Sequence, residues 1–157
     1  MEQGQSLSIG WHVPIGVGIL IMKEGKVLML KRAYKNWGFG VVAGELEKGE
    51  SLRQSIVRHA KKEVGINIQE NDVRFLCVVH YKTQNAKEAP VVFFFTTEKW
   101  VGEPFNKEPE RHSEWGWFDI HQHPDHLAPG EKLVLDAYKN RGITSVVYVE
   151  SGWAENN

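Results

Sequence analysis

A single cysteine, Cys77, stands in 157 residues, which excludes an intrachain disulfide. It lies in the apolar run Phe75-Leu76-Cys77-Val78-Val79, the setting of a buried structural thiol rather than a nucleophile. Net charge is nearly absent: 19 basic residues against 20 acidic ones leave -1. That removes any global attraction to nucleic acid or anionic membrane, so anion-binding charge has to be local. No Arg-rich or RNP-like patch favours RNA. No apolar run spans a bilayer, and the N-terminus lacks the cationic, apolar and small-residue succession of a signal peptide. A cytoplasmic protein, with no membrane or nucleic-acid partner, is the expectation. Repeats, low-complexity stretches and linkers are missing too. Residues 1–150 are therefore expected to form one domain, and 151–157 a frayed tail. What is present is ordinary globular composition, 41% hydrophobic and 25% charged, in a chain long enough to bury a sizeable core.

Local patterns predict alternating strands and two helices. A β-branched, glycine-studded run from His12 to Met22 reads as a strand, Lys23 to Lys26 as a turn, and Val27 to Lys31 as the returning strand. Phe39 to Ala43 is a short apolar strand that stops at Gly44. Ser51 followed by Gln54 is a capping box, and Leu52, Ile56, Ala60 and Val64 repeat every four residues as the buried stripe of a helix. Gly65 ends it at the position that favours a left-handed residue. Val73 to Lys82 and Val91 to Thr97 are further strands. The segment from Lys99 to Glu114, rich in Gly, Pro and charge, reads as a loop of functional length. Trp115 to Ile120 is a strand, Gly130 to Arg141 a second helix, and Thr144 to Glu150 a last strand. Such a succession implies α+β or an α/β/α sandwich.

One stretch is far more specific than the rest. It reads Gly44-Glu45-Leu46-Glu47-Lys48-Gly49-Glu50, then seven residues, then Arg58-His59-Ala60-Lys61-Lys62-Glu63-Val64-Gly65-Ile66. This resembles the box of the Nudix hydrolases, in which a Gly, a Glu and an Arg-Glu-aliphatic-any-Glu-Glu-any-Gly-aliphatic run keep this spacing. Gly44, Glu50, Arg58, Glu63, Gly65 and Ile66 fall in place. His59 and Lys62 stand where the family has two metal-holding glutamates. The resemblance implies the α/β class, an α/β/α sandwich with a mixed sheet, and a small-molecule substrate, a nucleoside diphosphate linked to another moiety. It also implies a divalent cation, Mg2+ or Mn2+, and a possible homodimer.

The same resemblance assigns roles. Glu50, favoured at the helix mouth by the helix dipole, pairs with Arg58 and fixes the loop against the helix. The Gly44 carbonyl and Glu63 hold metal. Residues 59 and 63 share a helix face, with 62 beside them. Imidazole suits magnesium poorly and an ammonium repels it, so a cluster of two or three metals is not expected, and one cation is. Lys62 can itself lend positive charge to a diphosphate. The opposing reading is decay, with His59 and Lys62 simply facing water on a helix that no longer catalyses.

Downstream lies Glu110-Arg111-His112-Ser113-Glu114-Trp115-Gly116-Trp117. GDP-mannose mannosyl hydrolases, a Nudix subgroup, also lack the first two glutamates of the run. They attack the anomeric carbon with a histidine base from the loop before a late strand, and His112 is similar in placement. Histidine titrates near neutral pH and can take a proton from water. Arg111 departs from that subgroup, which has a metal-binding glutamine there, and arginine cannot ligate a metal. Glu110 or Glu114 is the candidate extra carboxylate of a reduced metal site for phosphoanhydride cleavage. Arg32, with Lys31 and Lys35 the nearest basic group, is the candidate diphosphate contact. Trp117 is a candidate stacking surface, set against core packing, the commoner fate of a strand aromatic. His121, His123 and His126 around Pro124 read as solvated turn residues. Three functions stay open: sugar-nucleotide hydrolysis, phosphoanhydride cleavage, or a non-catalytic domain that binds a nucleotide, RNA or protein.

Overall fold

The computed structural model describes residues 12–33, 36–82, 89–140 and, as backbone, 146–150. Lys35 and the expected tail at 151–157 lie outside the described residues. Among the described residues, eight strands form one mixed sheet: β1 (Ile15–Lys23), β2 (Lys26–Arg32), β3 (Phe39–Gly40), β4 (Val42–Glu45), β5 (Arg74–Lys82), β6 (Val91–Thr97), β7 (His112–Asp119) and β8 (Val146–Glu150). The path runs β3-β2-β1-β6-β5-β8, with β4 beside β1 and β7 beside β2. β1 is parallel to β6 and β5 to β8, and the remaining pairs are antiparallel. The β1–β2 hairpin turns through Glu24 and Gly25, both at positive φ (50° and 75°), as a tight two-residue hairpin requires.

Alternation along the strands divides the core in two. Val17, Ile19 and Ile21 of β1, with Leu28 and Leu30 of β2, pack against Ile56, Ala60 and Val64 of helix α1 (Leu52–Val64). The intervening Leu20, Met22, Val27 and Met29 face Val134 and Leu135 of helix α2 (Glu131–Lys139). One helix therefore covers each face, and the α/β/α sandwich with a mixed sheet is the observed architecture. Cys77 is fully buried in the α2-side core, which pushes its thiol up to about 11 and leaves it inert. Among the described residues, no helix is long and apolar enough to cross a membrane.

Two expected boundaries move in ways that matter. The apolar run after Phe39 is two strands, Phe39–Gly40 on β2 and Val42–Glu45 on β1, because its two ends pair with different neighbours. The late strand begins at His112 instead of Trp115, so His112 opens a strand and the loop before it ends at Arg111.

Candidate active site

The capping box at the start of α1 is complete: Ser51 Oγ accepts from Gln54 N–H, and Gln54 Oε1 accepts from Ser51 N–H. Gly65 closes the helix in the left-handed region at φ 73°. These two ends fix the rotation of the helix and hence the face carrying Arg58, His59, Lys62 and Glu63. Arg58 locks the preceding loop. Its guanidinium donates to both Glu50 oxygens, through Nε and Nη2 (3.0 Å), and to the Glu45 carbonyl (3.1 Å), and pairs with Glu47 at 3.3 Å. The guanidinium beside Glu50 holds that carboxyl down at about 2.

His59 does not face water. It is 7% exposed, with Nε2 2.9 Å from the Glu45 carbonyl oxygen. Its ring lies on Gly44, where any Cβ would overlap the imidazole. The glycine is thus required here by a close approach of its own box histidine. Lys62 is half-exposed, with Nζ 3.9 Å from Glu108 Oε1.

Glu63 sits between two imidazoles. Its Oε1 lies 3.7 Å from His59 Nδ1 and its Oε2 3.8 Å from His112 Nε2. Burial raises the Glu63 carboxyl to about 7, against the opposing pull of Arg32. Burial, reinforced by neighbouring cations, lowers both histidines below their ordinary value, so both are mainly neutral at pH 7. His112 is 4% exposed, and its Nδ1 has no hydrogen-bond partner.

The strand geometry explains how His112 reaches Glu63. Lys31 pairs with Glu114 but Arg32 pairs with His112, so Ser113 is an extra residue on β7. A bulge reverses the inward and outward alternation beyond it. Glu114 opposes Lys31 in an exposed 2.7 Å ion pair, while His112 is buried against α1. The preceding loop docks onto the open C-terminal carbonyls of α1, with Phe105 N–H donating to Val64 and Lys107 N–H to Glu63. Asn106 Nδ2 donates to the His112 carbonyl at 2.8 Å, and Ala33 N–H donates to the Arg111 carbonyl at 2.9 Å.

The structure thus brings together Glu63, His59, His112 and Arg32, with Lys62 at the rim, and leaves other expected members apart. Glu110 is exposed and Glu114 is held by Lys31. Trp117 stacks on Trp100 at 5.8 Å and packs into the α1-side core. Glu108, which the sequence did not mark, is mostly buried between Lys62 and Arg111, with Oε2 unpartnered. Glu131 is a second missed carboxyl, buried on the α2 side. A first-turn helical glutamate normally reads as a solvated dipole partner, so nothing in the sequence pointed to its burial.

The box spacing, the sandwich and the placement of α1 agree with a family match. A model of the NUDIX domain covers residues 12–138. The chain belongs to the Nudix hydrolase family. It is 27% identical over 128 residues to the uncharacterized Nudix hydrolase YvcI of Bacillus subtilis, covering 79% of this chain and 78% of that protein. It is 28% identical over 104 residues to the 8-oxo-dGTP diphosphatase of Escherichia coli, covering 64% and 77%. The crystal structure of a MutT NUDIX hydrolase from Burkholderia pseudomallei superposes with a TM-score of 0.75 at 26% identity, covering 80% and 98%.

Nudix hydrolases generally use divalent metals such as Mg2+ or Mn2+ and act on small nucleotide derivatives. The donor set here does not fit the family's carboxylate cluster. Among the described residues, no three His, Cys, Asp or Glu side chains are gathered to hold a metal, so Glu63, Glu110 and Glu114 form no such group. The His59 ring covers Gly44, and two neutral imidazoles, ligands that hard cations take poorly, flank the Glu63 oxygens.

Proposed function

We propose that the protein hydrolyses a nucleoside diphosphate joined to a second moiety, of the sugar-nucleotide type, with His112 as general base. The observation that carries this reading is the state of His112: buried, neutral at pH 7, with Nδ1 unpartnered and Nε2 turned to Glu63. With the proton on Nε2, a tautomer assigned from that neighbour, Nδ1 offers a lone pair to a water. The water's oxygen attacks the anomeric carbon, its proton passes to Nδ1, and the nucleoside diphosphate leaves. Ionised Glu63 faces the imidazolium that forms. Arg32, bordering the same space, and Lys62 at the rim supply positive charge to the diphosphate. A base of this kind needs no carboxylate cluster on the helix.

Products decide the reading. A GDP-sugar incubated with protein should give free sugar and GDP, and oxygen-18 from solvent should appear in the sugar. His112→Ala should lower turnover by about 10²–10⁴-fold. Wild-type activity should fall on the acid side, because protonation of Glu63, raised to about 7, removes the carboxylate that faces the imidazolium, and protonation of His112, at lower pH, removes the base itself. An unchanged rate in the variant would end the assignment. Similarity to the Escherichia coli diphosphatase favours a second reading, cleavage between phosphorus atoms, for which sugar phosphate and GMP are the diagnostic products. Retained nucleotide binding without turnover on any substrate with Mg2+ or Mn2+ would point to the non-catalytic reading.

A further inference from the structure

A cavity of about 220 Å³ opens beside His112, lined by Arg32, Ala33, Glu110, Arg111 and His112. It is smaller than the roughly 300–1,000 Å³ of sites that bury a whole drug-sized ligand. One or two phosphoryl groups fit such a volume. Two of its five lining residues are arginines on different elements, Arg32 ending β2 and Arg111 ending the loop before β7. The hydrogen bond from Ala33 N–H to the Arg111 carbonyl ties these two segments together. Arg111 is half-exposed, and its ion pair to Glu108 is long at 3.7 Å, so the guanidinium keeps donors for a ligand. His112 adds a side chain more than nine-tenths buried with an unpartnered ring nitrogen.

We propose that this cavity is a metal-independent oxyanion subsite, in which Arg32 and Arg111 seat a phosphoryl group of a diphosphate beside His112. Planar guanidiniums bind phosphoryl oxygens in pairs and stay charged at every working pH, so two of them can take over neutralisation that a carboxylate-held cation would otherwise provide. Glu108 sets the arrangement: Lys62 and Arg111 both approach its Oε1, at 3.9 and 3.7 Å, which holds two cations on one side of the site. Glu110 sits on the lining with the opposite sign, and it opposes an anion. The inference deepens the proposed function by naming what holds the diphosphate, and it rests on that reading only for the identity of the natural ligand.

Calorimetric titration of the intact protein with inorganic pyrophosphate in EDTA tests it. Binding should persist in EDTA, weaken at least tenfold in Arg111→Met, and tighten in Glu110→Gln. Lys132→Met, on the exposed face of α2, removes the same unit of charge and should bind like the wild type. Binding that appears only on adding Mg2+, or not at all, overturns the proposal. So does equal affinity in Arg111→Met and wild type, or an equal loss in Lys132→Met, which would mean net charge alone. Retained pyrophosphate binding with no sugar-nucleotide turnover would remove the proposed reaction and leave the subsite standing.

Discussion

At the scale of single residues, the histidine at position 59 changes what the box can do. A carboxylate there would reach for a cation; an imidazole reaches back and donates its Nε2–H to the Glu45 carbonyl, resting its ring on Gly44. The family glycine and this chain's histidine are therefore coupled by contact. Gly44→Ala should destabilise the fold by about 1–3 kcal/mol, the usual cost of overpacking a close contact. Combined with His59→Ala, most of that extra cost should vanish, giving a non-additive cycle in urea unfolding. Strict additivity would show that the ring is not what the methyl group strikes.

At the scale of elements, α1 is the part of the molecule most nearly written in the sequence. Of its stripe, Ile56, Ala60 and Val64 are fully buried and Leu52 is partly buried; its cap at Ser51 and its stop at Gly65 form as their residue types demand. Ser51→Ala should cost about 0.5–2 kcal/mol, and the thermal midpoint should fall by roughly 2–4 °C per kcal/mol. Near-wild-type melting would mean the capping box is idle. β7 is the opposite case. Periodicity placed its start at Trp115, because alternation is clean only from there; the true start lies three residues earlier, behind a bulge that alternation cannot express. The same bulge decides that His112, and not Glu114, faces Glu63. A pair such as Glu63 and His112 is a product of tertiary packing between a helix and a distant strand. The resemblance to the Nudix box and to its mannosyl-hydrolase subgroup nominated both, while the extra residue that joins them became visible only in three dimensions. Glu108 and Glu131 were illegible for a related reason: each is a charged residue in a segment where exposure is the norm, and burial comes from elements distant in sequence.

At the scale of the whole molecule, α1 and α2 each carry a buried carboxyl, Glu63 in the last turn of α1 and Glu131 in the first turn of α2, and Arg32 acts on both. Glu131 is the cleaner one to test, since it lies away from the proposed chemistry. Burial raises its carboxyl from 4.5 to about 7, opposed by hydrogen bonding from the Val41 backbone and by Arg32. Between those values the folded chain holds a proton that the unfolded chain has released. Stability from this group therefore falls as pH rises from about 4.5 to 7, and stays low above that. Glu63 acts in the same direction, whereas the depressed histidines act in the opposite one below 6.5. The net profile of the wild type mixes these signs, so the informative quantity is a difference. Glu131→Gln keeps the size and an acceptor for Val41 N–H but cannot ionise. Relative to wild type, the variant should gain stability from pH 5 to about pH 7 and then level off towards pH 8, by at most about 3 kcal/mol in all. Denaturant unfolding of both proteins across that range measures it. A difference that does not change with pH would mean that Glu131 keeps an ordinary pKa when folded, with water or a counter-ion reaching its carboxyl.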